Sequence, residues 1–495
     1  MGEAPLRRGL RRLGSLLAPR GFRQLLTSQL LNQVADGLYQ IALASVLIFG
    51  LEAARTPAQV TKVLAVTLLP FSLVGPFTGP FIDRFSRRSI LVGTSVVRTG
   101  LILLLLPAVA WPEPVLLALA VATVSVNRFY HATKNAVLPT VVPSDQYLGA
   151  NAVSSTAGMV FALAGAVVGG PLTDAISPRL PILLAAACAA GSALAAARLR
   201  LPRGERRGLA GIVRELRDNL RDVREGLRVL LGSPTATYAV SSTWAMRALH
   251  GFIILAALVV GRARFDIGAS GFSVVLAAVG VGGFGGALLV PTVAGRVGRP
   301  GVAPVAFVLA GVATLVGGPL SVWAAILAAV GLAGTAMTAT KIASDTIIMR
   351  SIPDHYRGRA FAVYDIGYNG AFVVAALVAT ALRPFLSDLG IILLAGALYL
   401  AVGGLLGLRR RRLPPDVEVH TYAGGRADQE PREVLLDGVP VAVAETERAW
   451  SERRGVESLR CFRLRLADGR RIQVSLGAMW RLDRELAPAT GSHEP

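Results

Sequence analysis

The sequence predicts an all-α polytopic membrane protein: twelve transmembrane helices in two six-helix repeats, followed by a small C-terminal β domain. Three observations carry that fold. Of 495 residues, 53% are hydrophobic and only 17% are charged, against about a quarter in ordinary soluble domains. Apolar runs of roughly 20 residues, the length a bilayer core requires, recur as far as residue 407. Short strings also recur in the second half, at matching places in the run of spans. Disorder, a coiled coil and a collagen-like rod are excluded by the same composition.

The elements follow in chain order. In residues 1–24, Leu6, Leu10, Leu13, Leu16 and Leu17 recur at helical spacing among arginines. This predicts an amphipathic helix lying in the membrane interface, with no cleavage site of a signal peptide. Residues 25–197 form a first bundle, with spans at 25–50, 58–80, 89–110, 114–134, 149–173 and 177–197. In the linker 198–235, Ile212, Val213, Leu216, Leu220, Val223 and Leu227 share one helical face. Arginines and acids interleave on its other faces, which predicts a solvated connector helix and argues against nucleic acid as a partner. Residues 236–407 form the second bundle, with spans at 236–260, 268–293, 302–319, 321–342, 359–382 and 387–407. The run AAVGVGGFGGALL (277–289) predicts close helix contact through small residues.

A basic, flexible linker is expected over 408–429 and a compact β domain over 430–486. Asp-Gly pairs at 437–438 and 468–469 stand between apolar alternations and predict hairpins. Phe462, Leu464, Leu466, Ile472, Val474 and Leu476 fall on one face, and Arg463, Arg465 and Arg471 on the other. Trp450 and Trp480 are expected to close the core.

Arginine sets the orientation. The segments on the side of the N-terminus hold most basic residues, with six in 1–24 and ten in 198–235. The opposite loops and adjoining span ends hold only Arg55, Lys62, Arg179, Arg262, Arg264 and Arg383. The positive-inside rule places both chain ends in the cytoplasm. The Ala-, Gly- and Arg-rich composition suggests a high-GC bacterium, hence its cytoplasmic membrane. The two cysteines, Cys188 and Cys461, give no disulfide framework, and the five histidines show no metal-ligand spacing. No phosphate loop or nucleophilic triad is legible, so neither a metal, a cofactor nor enzymatic activity is expected.

Ala132-Thr133-Lys134 recurs as Ala339-Thr340-Lys341, and PSDQYLGANAV (143–153) matches PDHYRGRAFAV (353–363). The repeat lands after span 4 and again after span 10. Two homologous halves in the same orientation are the parallel repeat of transporters built around a central site.

The string GPFIDRFSRR (79–88) matches the G-x-x-x-D-R-x-x-R-R signature of the major facilitator superfamily. FRQLLTSQLLNQVADGLYQIALASVLIF (22–49), VVRTGLILLLLP (96–107), LPTVVPSDQYLGANAV (138–153) and IPDHYRGRAFAVYDI (352–366) resemble its drug-efflux and siderophore-exporter branch, which includes macrolide-efflux and enterobactin-exporter proteins. The likeness covers about residues 20–410. The chain departs from it at PTVAGRVGRP (291–300), where Pro291 and Gly295 replace the signature glycine and aspartate. It departs again at Gly165 to Gly170, where the antiporter pattern G-P-x-x-G-G lacks its proline.

The resemblance implies that Gly79, Asp83, Arg84, Arg87 and Arg88 form a conformational latch; the start of span 11 (Gly358, Arg359) and Arg128 in span 4 are the candidate partners for Asp83. It also implies that spans 1, 4, 7 and 10 line a cavity. Charges inside spans usually face such an interior. Asp36 falls near mid-membrane in span 1, with Arg247 and His250 at similar depth in span 7. Asp36 is either a proton carrier or part of a static pair. Arg247 either holds a substrate anion or neutralises Asp36. His250 is either a titrating group or a satisfied interior histidine. Arg98 in span 3 reads as a buried structural charge, and Asp365 in span 11 as a candidate for the cytoplasmic vestibule. Asn32, Gln33, Tyr39, Gln40 and Trp244 are polar or aromatic candidates for the same cavity.

The expected activity is proton-coupled export of an amphipathic small molecule by alternating access, with protons and membrane lipid as further partners and a monomeric state. A lipid or lysophospholipid flippase is the alternative. A non-transporting sensor acting through its tail is another.

Overall fold

Leu-, Ala- and Val-rich stretches with few breakers fold as helices. The computed structural model describes residues 17–46, 85–107, 111–143, 146–201, 212–320, 322–382, 384–413, 417–422, 430–436, 439–454, 457–476 and 480–486. Among the described residues, five helices precede the linker: α1 (Arg20–Ala44), α2 (Arg87–Leu103), α3 (Glu113–Val141), α4 (Tyr147–Ala175) and α5 (Arg179–Ala197). The linker carries α6 (Ile212–Gly232). Six more follow: α7 (Pro234–Phe265), α8 (Ala269–Val297), α9 (Arg299–Gly317), α10 (Trp323–Ser351), α11 (Asp354–Leu382) and α12 (Asp388–Arg410). Ser86, Ser233 and Ser387 cap α2, α7 and α12, each hydroxyl accepting from the N–H three residues on. The predicted span 58–80, the signature residues Gly79, Asp83 and Arg84, and most of the N-terminal segment lie outside the described residues.

Among the described residues, nine helices are long and apolar enough to cross a membrane: α3 to α5 and α7 to α12. α1 is too polar in composition to count among them, and its polar side chains face other helices. Ser28, Gln29, Asn32 and Asp36 are all buried. Ser28 bonds Tyr130 at 2.8 Å, and Gln29 donates to the Ser154 carbonyl at 2.7 Å. Small residues let backbones touch. A Cβ on Gly37 would meet the Ala162 carbonyl at 2.0 Å, and one on Gly165 the Val34 carbonyl at 2.4 Å, so α1 and α4 pack without intervening side chains. Gly282 and Gly286, from the glycine-rich run, press in the same way on Gly331 and Thr335 of α10.

Between the halves, Asp174 at the end of α4 accepts from the Ala269 and Ser270 backbone N–H groups, 3.1 and 2.8 Å, at the start of α8. A carboxylate there satisfies orphan donors and suits the helix dipole. The linker helix rests its apolar face on the second half. Val223 and Leu230 of α6 join Ile348, Ile352 and Tyr364 in one apolar cluster of the second half. Arg359 of α11 pairs with Asp222 and Glu225 of α6 at 2.9 and 2.7 Å.

The tail forms a six-stranded antiparallel meander: β1 (Val417–Tyr422), β2 (Glu430–Leu436), β3 (Val439–Arg454), β4 (Glu457–Leu466), β5 (Arg471–Leu476) and β6 (Trp480–Leu486). β1 lies in the stretch expected to be a flexible linker. The alternation Val417, Val419, Thr421 suits a strand, and its backbone pairs with β2. Phe462, Leu464, Leu466, Ile472 and Val474 are buried together with Val434. The Asp468-Gly469 turn closes the β4–β5 hairpin, with Gly469 at φ 85°. Trp450, expected in the core, is partly exposed instead, with the Arg448 guanidinium 5.6 Å over its ring. The Asp437-Gly438 turn and the Trp480 and Leu476 side chains lie outside the description.

Arg471 grips Glu447 with two hydrogen bonds, 2.7 and 2.6 Å, and holds its carboxyl below the usual glutamate range. A depressed acid stabilises the fold above its ordinary pKa, and the contribution fades as pH falls through the folded value. Such a partly exposed pair is worth up to about 1 kcal/mol. In the full chain, Glu447→Gln should therefore speed amide exchange in β3 and β5 at pH 7 by about two- to five-fold. Exchange identical to wild type would show that the pair contributes nothing.

Candidate functional site

Helix rotation brings charged side chains from both halves to one central cavity of about 610 Å³. Asp36 faces it from α1, Arg98 from α2, Asn127, Arg128 and His131 from α3, and Arg247 and His250 from α7. The rest of the wall is largely apolar, with Phe272, Leu276 and Val279 from α8 and Phe372 from α11. The expectation that span 10 lines the cavity is not met. α8 supplies that wall, while α10 packs behind it on α8's glycine face.

The Asp36 carboxylate lies at the centre of a closed network. Arg98, itself 1% exposed, bonds its Oδ1. Asn127 Nδ2 donates to both carboxylate oxygens, 2.8 and 3.0 Å. Arg98 also donates to Asn32 Oδ1 at 2.7 Å, and Asn32 donates to Asn127 Oδ1 at 2.9 Å. His131 Nε2 stands 3.5 Å from Asp36 Oδ2, on the cavity side. Arg98 is therefore the cation that neutralises Asp36, and the alternative role expected for Arg247 falls away. Arg98 reaches the cavity wall because its long side chain extends from α2 towards α1.

Arg247 is held differently. Its guanidinium lies 4.8 Å from the ring centre of Tyr368 and 4.6 Å from that of Phe372, a favourable cation–π arrangement. Gly251, one turn along α7, leaves space for Phe372, since a Cβ there would meet the ring at 2.7 Å. Among the described residues no carboxylate pairs with Arg247, and its Nε has no hydrogen-bond partner. His250, 1% exposed, also has an unpartnered Nδ1. Gln33, Tyr39 and Gln40 line the cavity. Trp244 does not, and its indole N–H donates to the Tyr364 carbonyl at 3.0 Å.

Asp365 stands apart from the cavity wall, within electrostatic range of Lys341, Asp345 and Arg128. Lys341 bonds Asp345 at 3.0 Å. Of the signature arginines that are described, Arg87 donates to the Ala136 carbonyl at 2.9 Å, and Arg88 to the Ala197 carbonyl at the end of α5. Both tie α2 to its own half. Sequence reasoning missed Asn127 and His131. They are one turn apart on α3, a polar pair that helical spacing could have exposed. The expected span 114–134 contains both residues, but α3 runs on to Val141, and neither residue carries a full charge that would mark it as costly inside a span.

Residues 25–300 match the profile of the Major Facilitator Superfamily. The chain belongs to this superfamily. An uncharacterised transporter of the same type from Mycobacterium tuberculosis is 30% identical over 425 residues, 82% of this chain and 91% of its own. Among solved structures, the fold is similar to a peptide transporter with a TM-score of 0.62, 11% identity, and coverage of 80% of this chain and 95% of that one. The nucleoside transporter NupG gives a TM-score of 0.56 at 12% identity, with 78% and 99% covered. The chain is thus a multi-pass membrane transporter of the major facilitator type, not an enzyme.

Proposed function

We propose that this transporter works by alternating access and exports an amphipathic small molecule, of the drug, siderophore or secondary-metabolite kind, across the bacterial cytoplasmic membrane in exchange for protons. The observation that carries this reading is the Asp36–His131 contact, which places a group able to carry a proton on the wall of a largely apolar cavity. A volume of about 610 Å³ falls within the range of small-molecule sites. Twelve crossings with both ends in the cytoplasm, and a monomer, complete the proposal. In it Asp83 latches the cytoplasmic side through the start of α11 and Arg128, and Asp174 ties the outer ends of α4 and α8.

The test begins with a deletion strain, whose retained metabolites define the candidate cargo. Each is then offered to proteoliposomes of the full chain loaded with a pH dye. Cargo flux accompanied by opposite proton movement is expected. Flux with no proton movement overturns the exchange.

A further inference from the structure

The charges on the cavity wall are not balanced. Among the described residues, the charged side chains that line it are Asp36, Arg98, Arg128 and Arg247. Asp36 and Arg98 neutralise one another. Arg128 lies within electrostatic range of Asp365 and Asp36. Arg247 has two aromatic faces and no carboxylate. The apolar stretch 58–80, outside the described residues, contains neither aspartate nor glutamate in sequence. An uncompensated cation at membrane depth is costly, and a low-dielectric wall strengthens its attraction for any anion that enters. The unpartnered Nδ1 of buried His250, one turn away, adds a polar group at the same place.

We propose that the cavity selects organic anions: Arg247, oriented by Tyr368 and Phe372, receives the acidic group of an amphipathic substrate, with His250 beside it. A guanidinium offers carboxylates and phosphates a planar fork of donors. The aromatic faces take up part of its surface and leave the remaining N–H groups for the ligand. Ile254, Leu258 and Phe272, on the same cavity wall, meet the apolar body. The inference deepens the transport reading and rests on it for the identity of the site as a cargo site.

Two probes of one shape, 2-naphthoate and 2-naphthylmethylammonium, separate the cases. Binding to the full chain in neutral phosphatidylcholine nanodiscs is measured by calorimetry. Wild type should bind the anion at least ten-fold more tightly than the cation. Arg247→Gln should erase that preference, and Arg247→Lys, which keeps the charge, should retain most of it. Equal affinities in wild type, no measurable anion binding, or an intact preference in Arg247→Gln would each overturn the proposal. Proton movement in proteoliposomes distinguishes this failure from that of the exchange reading. Anion preference without proton movement removes the exchange and leaves the anion site. Proton movement without anion preference does the reverse.

Discussion

Asp36→Asn should destabilise the transporter by about 3–5 kcal/mol, the usual cost of removing one partner from a buried pair. The size follows from what is left behind. Arg98 is 1% exposed, so its charge would remain inside the protein with only neutral acceptors, the Asn32 and Asn127 oxygens and the introduced amide's own oxygen. The reverse change is cheaper. In Arg98→Met the carboxylate keeps both Asn127 bonds and the neighbouring His131, and its side chain, 13% exposed, opens on the cavity and its water. The double variant strands no charge and should recover most of the loss. The expected order of cost is therefore Asp36→Asn, then Arg98→Met, then the pair together, read by reversible detergent titration in mixed micelles. If Asp36→Asn proved as stable as wild type, the pair would not be holding α1 and α2 together.

This expectation alters how Asp36 can be used as a probe. From sequence, Asp36 is an isolated acid at mid-membrane, equally suited to carrying a proton or to anchoring a helix. The choice depends on which neighbour faces it. Length and polarity reveal that α1, α2 and α7 exist but miss their ends by up to two turns, the expected spans 25–50, 89–110 and 236–260 standing against Arg20–Ala44, Arg87–Leu103 and Pro234–Phe265. Rotation about each helix axis is not readable that way. The difference between Arg98 and Arg247 as the partner is such a rotation. It is set by backbone contacts such as Gly37 against Ala162, which bring α1 onto α4 at one angle. The polarity of α1 makes the same point. Ser28, Gln29 and Asn32 weaken it as an apolar span, yet each has a partner on another helix.

Legibility was better in the tail, where period-two alternation placed Phe462, Leu464 and Ile472 on the buried face. It was poorer for β1, whose six residues stand among polar ones and gain their order from pairing with β2. The paired lysines of the internal repeat show a limit of symmetry as a guide. Lys134 bonds the Ser154 hydroxyl at 3.4 Å, while Lys341 bonds a carboxylate, Asp345. Equivalent positions in the two halves thus carry different electrostatics.

His131→Gln should lower cargo-dependent proton movement at least ten-fold while leaving stability and anion binding near wild type. Imidazole is the side chain best suited to gaining and losing a proton near neutral pH. His131 is also placed for both halves of that task. Its side chain is 26% exposed and lines the cavity, so water can deliver the proton. Its Nε2 lies 3.5 Å from Asp36 Oδ2, so the charged form has a carboxylate beside it. Glutamine can still donate to Asp36 but cannot carry the proton. Because Asn127 and Arg98 hold the carboxylate independently, the Asp36 network survives the change. The two variants then report on different things. Asp36→Asn tests what holds the helices, and His131→Gln tests what carries the proton. Unaltered proton movement in His131→Gln, in protein of wild-type stability, would remove His131 from the coupling path. If proton movement and stability fell together, His131 would be a strut for Asp36 rather than a carrier.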